Sequence, residues 1–136
     1  RVGRPPVSGW QKNCGDIEAV LMQGGMDMAG KIIGWIVAFS CAILFYGIGV
    51  YAQKLDKPMW FWSGTEVDPD KITDVKQYNA ENGTMWKWYS LWYVAAGVAE
   101  IWSPIADAII LVLACTVGLA ILIWQYKRIF EKYSVK

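Results

Sequence analysis

Residues 105 to 124, IADAIILVLACTVGLAILIW, are apolar on every helical face and hold one ionisable side chain, Asp107, near their start. At about 1.5 Å per residue a helix of this length covers a hydrocarbon core of roughly 30 Å. The stretch predicts a membrane-spanning helix, and the rest of the chain must be compatible with one.

The other apolar residues are gathered in blocks rather than spread at the period of a soluble amphipathic helix. Hydrophobic residues make up 55% of the chain and include 9 Trp and 7 Tyr, so the blocks are wide enough to be spans themselves. The first runs from about 32 to 52, IIGWIVAFSCAILFYGIGVYA, with no charge inside. Small residues recur at four-residue spacing within and beside it, at Gly30 and Gly34 and at Ala38 and Ala42, and this spacing lets helix backbones approach closely. Contact with the chain's own other helices is the expected use. The second block, 85 to 102, MWKWYSLWYVAAGVAEIW, is aromatic in its first half and small in its second. The aromatic end reads as a membrane interface, with Lys87 extending towards headgroups. Ser103 and Pro104 supply an N-cap and a first helical position, so the second and third spans should form an antiparallel hairpin with almost no loop.

Several chemistries are excluded by what is missing. The chain has no His, and Cys14, Cys41 and Cys115 lie far apart, so neither a metal cluster nor a Cys–His nucleophilic pair can be assembled. No catalytic residue, metal ligand or cofactor is expected. A formal net charge of +1, without clustered Lys and Arg, gives no nucleic-acid surface.

Ahead of the first span, residues 1 to 27 are punctuated by Gly3, Pro5, Pro6, Gly9, Gly15, Gly24 and Gly25, and they are expected to be a disordered or non-native extension. Met26 or Met28, just before the first apolar block, is the expected natural start. The polar segment 53 to 84 is expected to hold a helix leading into the second span. Asp68-Pro69-Asp70 has the order of N-cap, first helical position and acidic first turn, which starts that helix at Pro69. Asn82-Gly83 is expected to be crossed by a continuing or kinked helix. Val75, Asn79 and Asn82 then share one face, and Asp74, Tyr78 and Glu81 another. Asp74, Tyr78, Asn79, Asn82 and Gly83 form the candidate motif, either tying the loop to the spans by hydrogen bonds or binding a partner.

Glu100 and Asp107 are the acids beside apolar spans, and the hairpin brings both to one end. An intramembrane carboxylate is a candidate for ion coupling, although a position within a turn of a helix end leaves it open to water.

The residues Pro58-Met59-Trp60-Phe61-Trp62-Ser63-Gly64, with Ile72-Thr73-Asp74-Val75-Lys76, Tyr78-Asn79, Asn82-Gly83 and Met85-Trp86, resemble a family of small integral membrane proteins of Gram-positive bacteria. More distantly, the segment resembles the immunity proteins that protect a producer from its own killing peptide. The resemblance implies a bacterial plasma membrane and no established activity.

The fold class predicted is all-α, a single membrane domain over 28 to 136 with three transmembrane helices, a helical segment before the second and a basic tail over 125 to 136. Lys54, Lys57, Lys71, Lys76, Lys87, Lys127, Arg128, Lys132 and Lys136 all belong to the loop, the adjoining end of the second span or the tail. The positive-inside rule puts these in the cytoplasm and the N-terminus outside. The expected partners are the bilayer and a peptide or membrane protein, with a homo-oligomer compatible and no nucleic acid. A small transporter, or a transporter subunit using Glu100 and Asp107, is the alternative.

Overall fold

The computed structural model describes residues 9–60 and 66–135. Phe61, Trp62, the Ser63-Gly64 turn and the first eight residues lie outside them. The described chain is all-α. Helix α1 runs Gly9–Lys54, a short 3-10 turn Pro69–Lys71 follows, and α2 runs Val75–Ala99. The third rod, Pro104–Tyr133, is α3 (Pro104–Leu113), a π-helical turn (Ala114–Gly118) and α4 (Leu119–Tyr133).

Two of these helices, Asn13–Lys54 and Pro104–Tyr133, are long and apolar enough to cross a membrane. Helix α2 has 25 residues, enough at about 1.5 Å each, but its polar first half lowers its apolarity below theirs. It packs between them. Two adjacent stripes along α2 are buried: Tyr78, Asn82, Met85, Tyr89, Tyr93 and Ala96 at helical spacing, and beside them Asn79, Gly83, Trp86, Ser90 and Gly97. Outward positions are apolar and open, with Ile43 73%, Trp102 77% and Ile105 73% exposed.

The contact of α1 with α2 is built on small residues. Gly34, Ala38, Ala42, Gly49 and Ala52 point inward, as expected of contact with the chain's own helices, whereas Gly30 and Gly47 face open space. A Cβ on Gly49 would sit 2.6 Å from the Gly83 carbonyl oxygen, and one on Gly83 would sit 2.5 Å from the Gly49 carbonyl oxygen. No side chain fits at that crossing. The Asn82-Gly83 pair is therefore not a break: α2 runs through it, because the glycine is what lets α1 pass.

Three expectations need correction. Residues 9–27 are helical, as the start of a 46-residue α1, although they are crossed by glycines that each cost about 1 kcal/mol in a helix. The Asp68-Pro69-Asp70 signal starts only the 3-10 turn. Asp68 does accept from the Asp70 N–H, but Ile72 is drawn into an isolated antiparallel bridge with Ser134, which forces extended backbone there. Asp74 is the N-cap that starts α2, its carboxylate accepting from the Gln77 N–H at 3.0 Å. Finally, Trp86 does not mark an interface: it is 8% exposed and stacks on Phe45 of α1, while Trp88 at 68% takes the outward position.

Gly49→Ala should push the α1 and α2 backbones apart, lowering stability in detergent unfolding by about 1–3 kcal/mol. Gly15→Ala, where nothing lies within 4 Å, should cost nothing; equal stabilities for the two variants would contradict this packing.

Candidate functional site

Two clusters of buried polar side chains stand at opposite ends of the bundle. The first lies where α1 ends and α2 begins. Asn79, 1% exposed, donates from Nδ2 to the Leu55 and Lys57 carbonyls at 2.9 and 2.8 Å and accepts at Oδ1 from the Met59 N–H at 2.8 Å. Three of its hydrogen-bonding positions are thus used to hold the chain leaving α1. Tyr78, fully buried, donates to the Met59 carbonyl at 3.0 Å and shares a 3.1 Å hydrogen bond with the Tyr126 hydroxyl of α4. Burial, then the Tyr126 hydroxyl beside it, hold the Tyr78 phenol above its ordinary pKa, so it stays neutral. Asn82 donates from Nδ2 to the Tyr78 carbonyl at 2.9 Å, within α2.

The tail closes on the same end. Thr73 donates its N–H to the Tyr133 carbonyl and Val135 donates its own to the Lys71 carbonyl, both at 2.8 Å. Lys132 pairs with Glu81 at 2.5 Å, and the Tyr133 hydroxyl donates to the same Glu81 oxygen at 2.8 Å. Lys132 holds the Glu81 carboxyl below its usual value, and Glu81 holds Lys132 above its own. Of the candidate motif, the structure brings Tyr78, Asn79, Asn82 and Gly83 together as the fastening between α1, α2 and α4, with Asp74 as the cap before them. That is the hydrogen-bonded tie between loop and helices.

The second cluster lies at the α2–α3 hairpin. Glu100 is the C-cap of α2, and Ser103 caps α3 by accepting the Ala106 N–H at 3.4 Å, with Pro104 next. Asp107 falls in the first turn of α3, where the helix dipole favours a carboxylate. The open, water-reached setting expected for these acids is not found: Glu100 is 2% and Asp107 5% exposed. They close on Gly34 of α1, whose missing side chain makes the room. A Cβ there would meet Glu100 Cδ at 3.2 Å and Asp107 Oδ2 at 3.4 Å.

One polar group was not legible. The Tyr89 hydroxyl donates to the Ala114 carbonyl at 3.1 Å and meets the Tyr93 hydroxyl at 3.0 Å, and Tyr93 in turn lies 3.7 Å from Cys115 Sγ. This chain of contacts meets the third rod at its π-helical turn, where the Ala114 carbonyl accepts from the Leu119 N–H across five residues. The Ala114-to-Gly118 sequence carries no π signal that could have announced it. Gly118 leaves space for the Tyr89 ring, 3.2 Å from where its Cβ would be.

No protein-family model, no curated protein and no solved structure matches the chain. The resemblance read over roughly residues 32 to 124 is an expectation from the sequence alone.

Asn79→Ala should remove the clamp on Leu55, Lys57 and Met59 and leave buried backbone groups unpaired, at a cost of about 2–4 kcal/mol with faster proteolysis of the 55–60 segment. A variant as stable and as resistant as the parent would contradict the assignment. The tail contact has a pH signature. Because the Glu81 value is lowered on folding, its contribution is present at neutral pH and is lost as pH falls below the ordinary carboxylate range. Because the Lys132 value is raised, its contribution is lost as pH rises above the ordinary lysine range. Protection of the Thr73 and Val135 amides, taken relative to intrinsic exchange at each pH, should fall at both extremes in the parent and stay flat in Glu81→Gln, and no difference between the two proteins would count against the pair.

Proposed function

We propose that the chain is an integral protein of the bacterial plasma membrane that crosses three times. Its loop and C-terminal tail are cytoplasmic and its N-terminus is outside, and it acts by binding a peptide or protein partner rather than by catalysis. Support for the third crossing comes from direction. The start of α3 lies against Gly34 of α1, and the end of α4 meets the segment that follows α1, so the two apolar rods run parallel. Two parallel crossings joined by one segment require that segment to cross back, and α2 is what joins them. The polar groups on α2 then face the bundle, and its outward Trp88, Leu91 and Val98 face lipid. The Lys-rich end with the loop–tail contact becomes the cytoplasmic one.

The observation that carries the partner reading is the first half of α1. At about 1.5 Å per residue the helix is roughly 69 Å long, twice what the bundle uses. Every residue from 13 to 33 is exposed, including Val20, Leu21 and Met22 at 69% each. A glycine-bearing helix of that length is marginal in water by itself, and its apolar side chains are uncovered by the other described residues. Such a segment suits a helix-binding partner or a membrane-active peptide. The resemblance to immunity proteins points to the same class.

Expression of the full chain in a susceptible bacterium should lower its sensitivity to a membrane-active peptide. The double change Val20→Glu and Leu21→Glu should abolish that protection at unchanged abundance. Unaltered killing by every peptide tried would remove the reading. A small transporter or transporter subunit is the second reading, favoured by the burial of the Glu100 and Asp107 pair; identical flux in reconstituted vesicles after both acids are changed to amides would remove it.

A further inference from the structure

The hairpin end holds an electrostatic problem that the partner reading does not use. Glu100 and Asp107 come from two different helices, are 2% and 5% exposed, and press on the same point of α1 at Gly34. Glu100 Oε2 and Asp107 Oδ2 each come within 3.4 Å of the place a Gly34 Cβ would take, so the two carboxyls share one small space. Two carboxyl groups sharing a small, solvent-shielded space are costly to ionise together without something positive beside them. A second, separate observation comes from Asp107 itself: its Oδ1 is buried and has no hydrogen-bond partner. A buried carboxyl oxygen of this kind is an acceptor that the protein itself leaves open.

We infer that the Glu100–Asp107 pair binds one small monovalent cation, which enters in exchange for a proton held between the two carboxyls. Charge selects the class. Among the described residues, the positive group whose field reaches the pair is Lys31, three positions before Gly34 and so on the same side of α1. With both acids ionised, the three sum to one negative charge. A single proton or a single monovalent cation neutralises that, whereas a divalent ion would leave an excess positive charge in a low-dielectric site. The helix ends favour the arrangement too. Glu100 caps the C-terminal end of α2, where the dipole attracts a cation, while the first turn of α3 supports the Asp107 carboxylate. In the exchange no covalent bond between heavy atoms changes: the cation takes the place of the proton, the proton leaves to bulk water, and the charge of the site is conserved.

This inference shares its residues with the transporter reading but concerns binding, so it is tested without flux. The full chain, purified in detergent with N-methylglucamine as the counter-cation at mildly alkaline pH in weak buffer, is titrated with NaCl. The expected result is saturable release of roughly one proton per chain, with a rise in unfolding temperature over the same concentration range. KCl should act similarly at a different affinity. Both effects should vanish in Asp107→Asn and in Glu100→Gln, and Gly34→Ala, which crowds the pair but keeps both acids, should weaken the affinity. A folded parent protein that releases no proton and is indifferent to NaCl and KCl overturns the inference, and so does a response to MgCl₂ or CaCl₂ alone. The parent titration decides even where a variant does not fold. Sodium binding without flux in vesicles would remove the transporter reading and leave the site standing.

Discussion

At the Gly49–Gly83 crossing the α1 and α2 backbones come so close that one added methyl group would strike a carbonyl oxygen, and this approach fixes where every other group on α2 must go. With Gly83 against α1, Asn79 is delivered one turn earlier to the carbonyls of Leu55 and Lys57, and Trp86 is turned onto Phe45. Further along, Gly97 meets Phe39 and Ala38, and Glu100 reaches Gly34. In lipid there is no hydrophobic force to bring helices together, so close backbone approach and internal hydrogen bonds must do so. Helix α2 supplies both, with small residues facing α1 and hydroxyls and amides facing the bundle.

The two ends of the bundle use buried polar groups in opposite ways. At the loop end, Asn79 has its Nδ2 and Oδ1 positions matched to backbone partners, the Tyr78 hydroxyl is bonded on to Met59 and Tyr126, and Glu81 is paired with a lysine and a tyrosine. Apart from the buried Asn82 Oδ1, which has no hydrogen-bond partner, these matched groups make a rigid fastening rather than a place for chemistry. At the hairpin end, two acids meet and one carboxyl oxygen is left without a partner. The ends differ in charge: the buried groups of the loop end are neutral or ion-paired, whereas the hairpin end brings two acids together.

Much of this was legible in the sequence because it rests on local chemistry. Ser103-Pro104 announced the tight hairpin, the four-residue spacing of small side chains on α1 announced its inward face, and Asn79 could be placed as the tie between loop and helices. What failed to read depends on contacts distant in sequence. Asp68-Pro69-Asp70 has good capping chemistry, yet pairing of Ile72 with Ser134, sixty-two positions away, stops that helix after one turn. Trp86 and Trp88 have the same composition signal, and only the neighbour across the bundle decides which is buried. The depth of Glu100 and Asp107 was misjudged for the same reason: closeness to a helix end suggested water, but Gly34 of α1 covers them. Punctuating glycines in residues 9–27 suggested disorder, although a helix tolerates them at a modest penalty each.

The proposed crossing of α2 between two parallel apolar rods can be decided by parity. Two crossings put both ends of the chain on one side, and three put them on opposite sides. Intact cells carrying the full chain, with Lys132→Cys added, are treated with a membrane-impermeant maleimide before and after permeabilisation. The account predicts that Cys14, exposed on the projecting half of α1, reacts in intact cells and that the introduced cysteine reacts only once the membrane is opened. Labelling of both from the same side would contradict it.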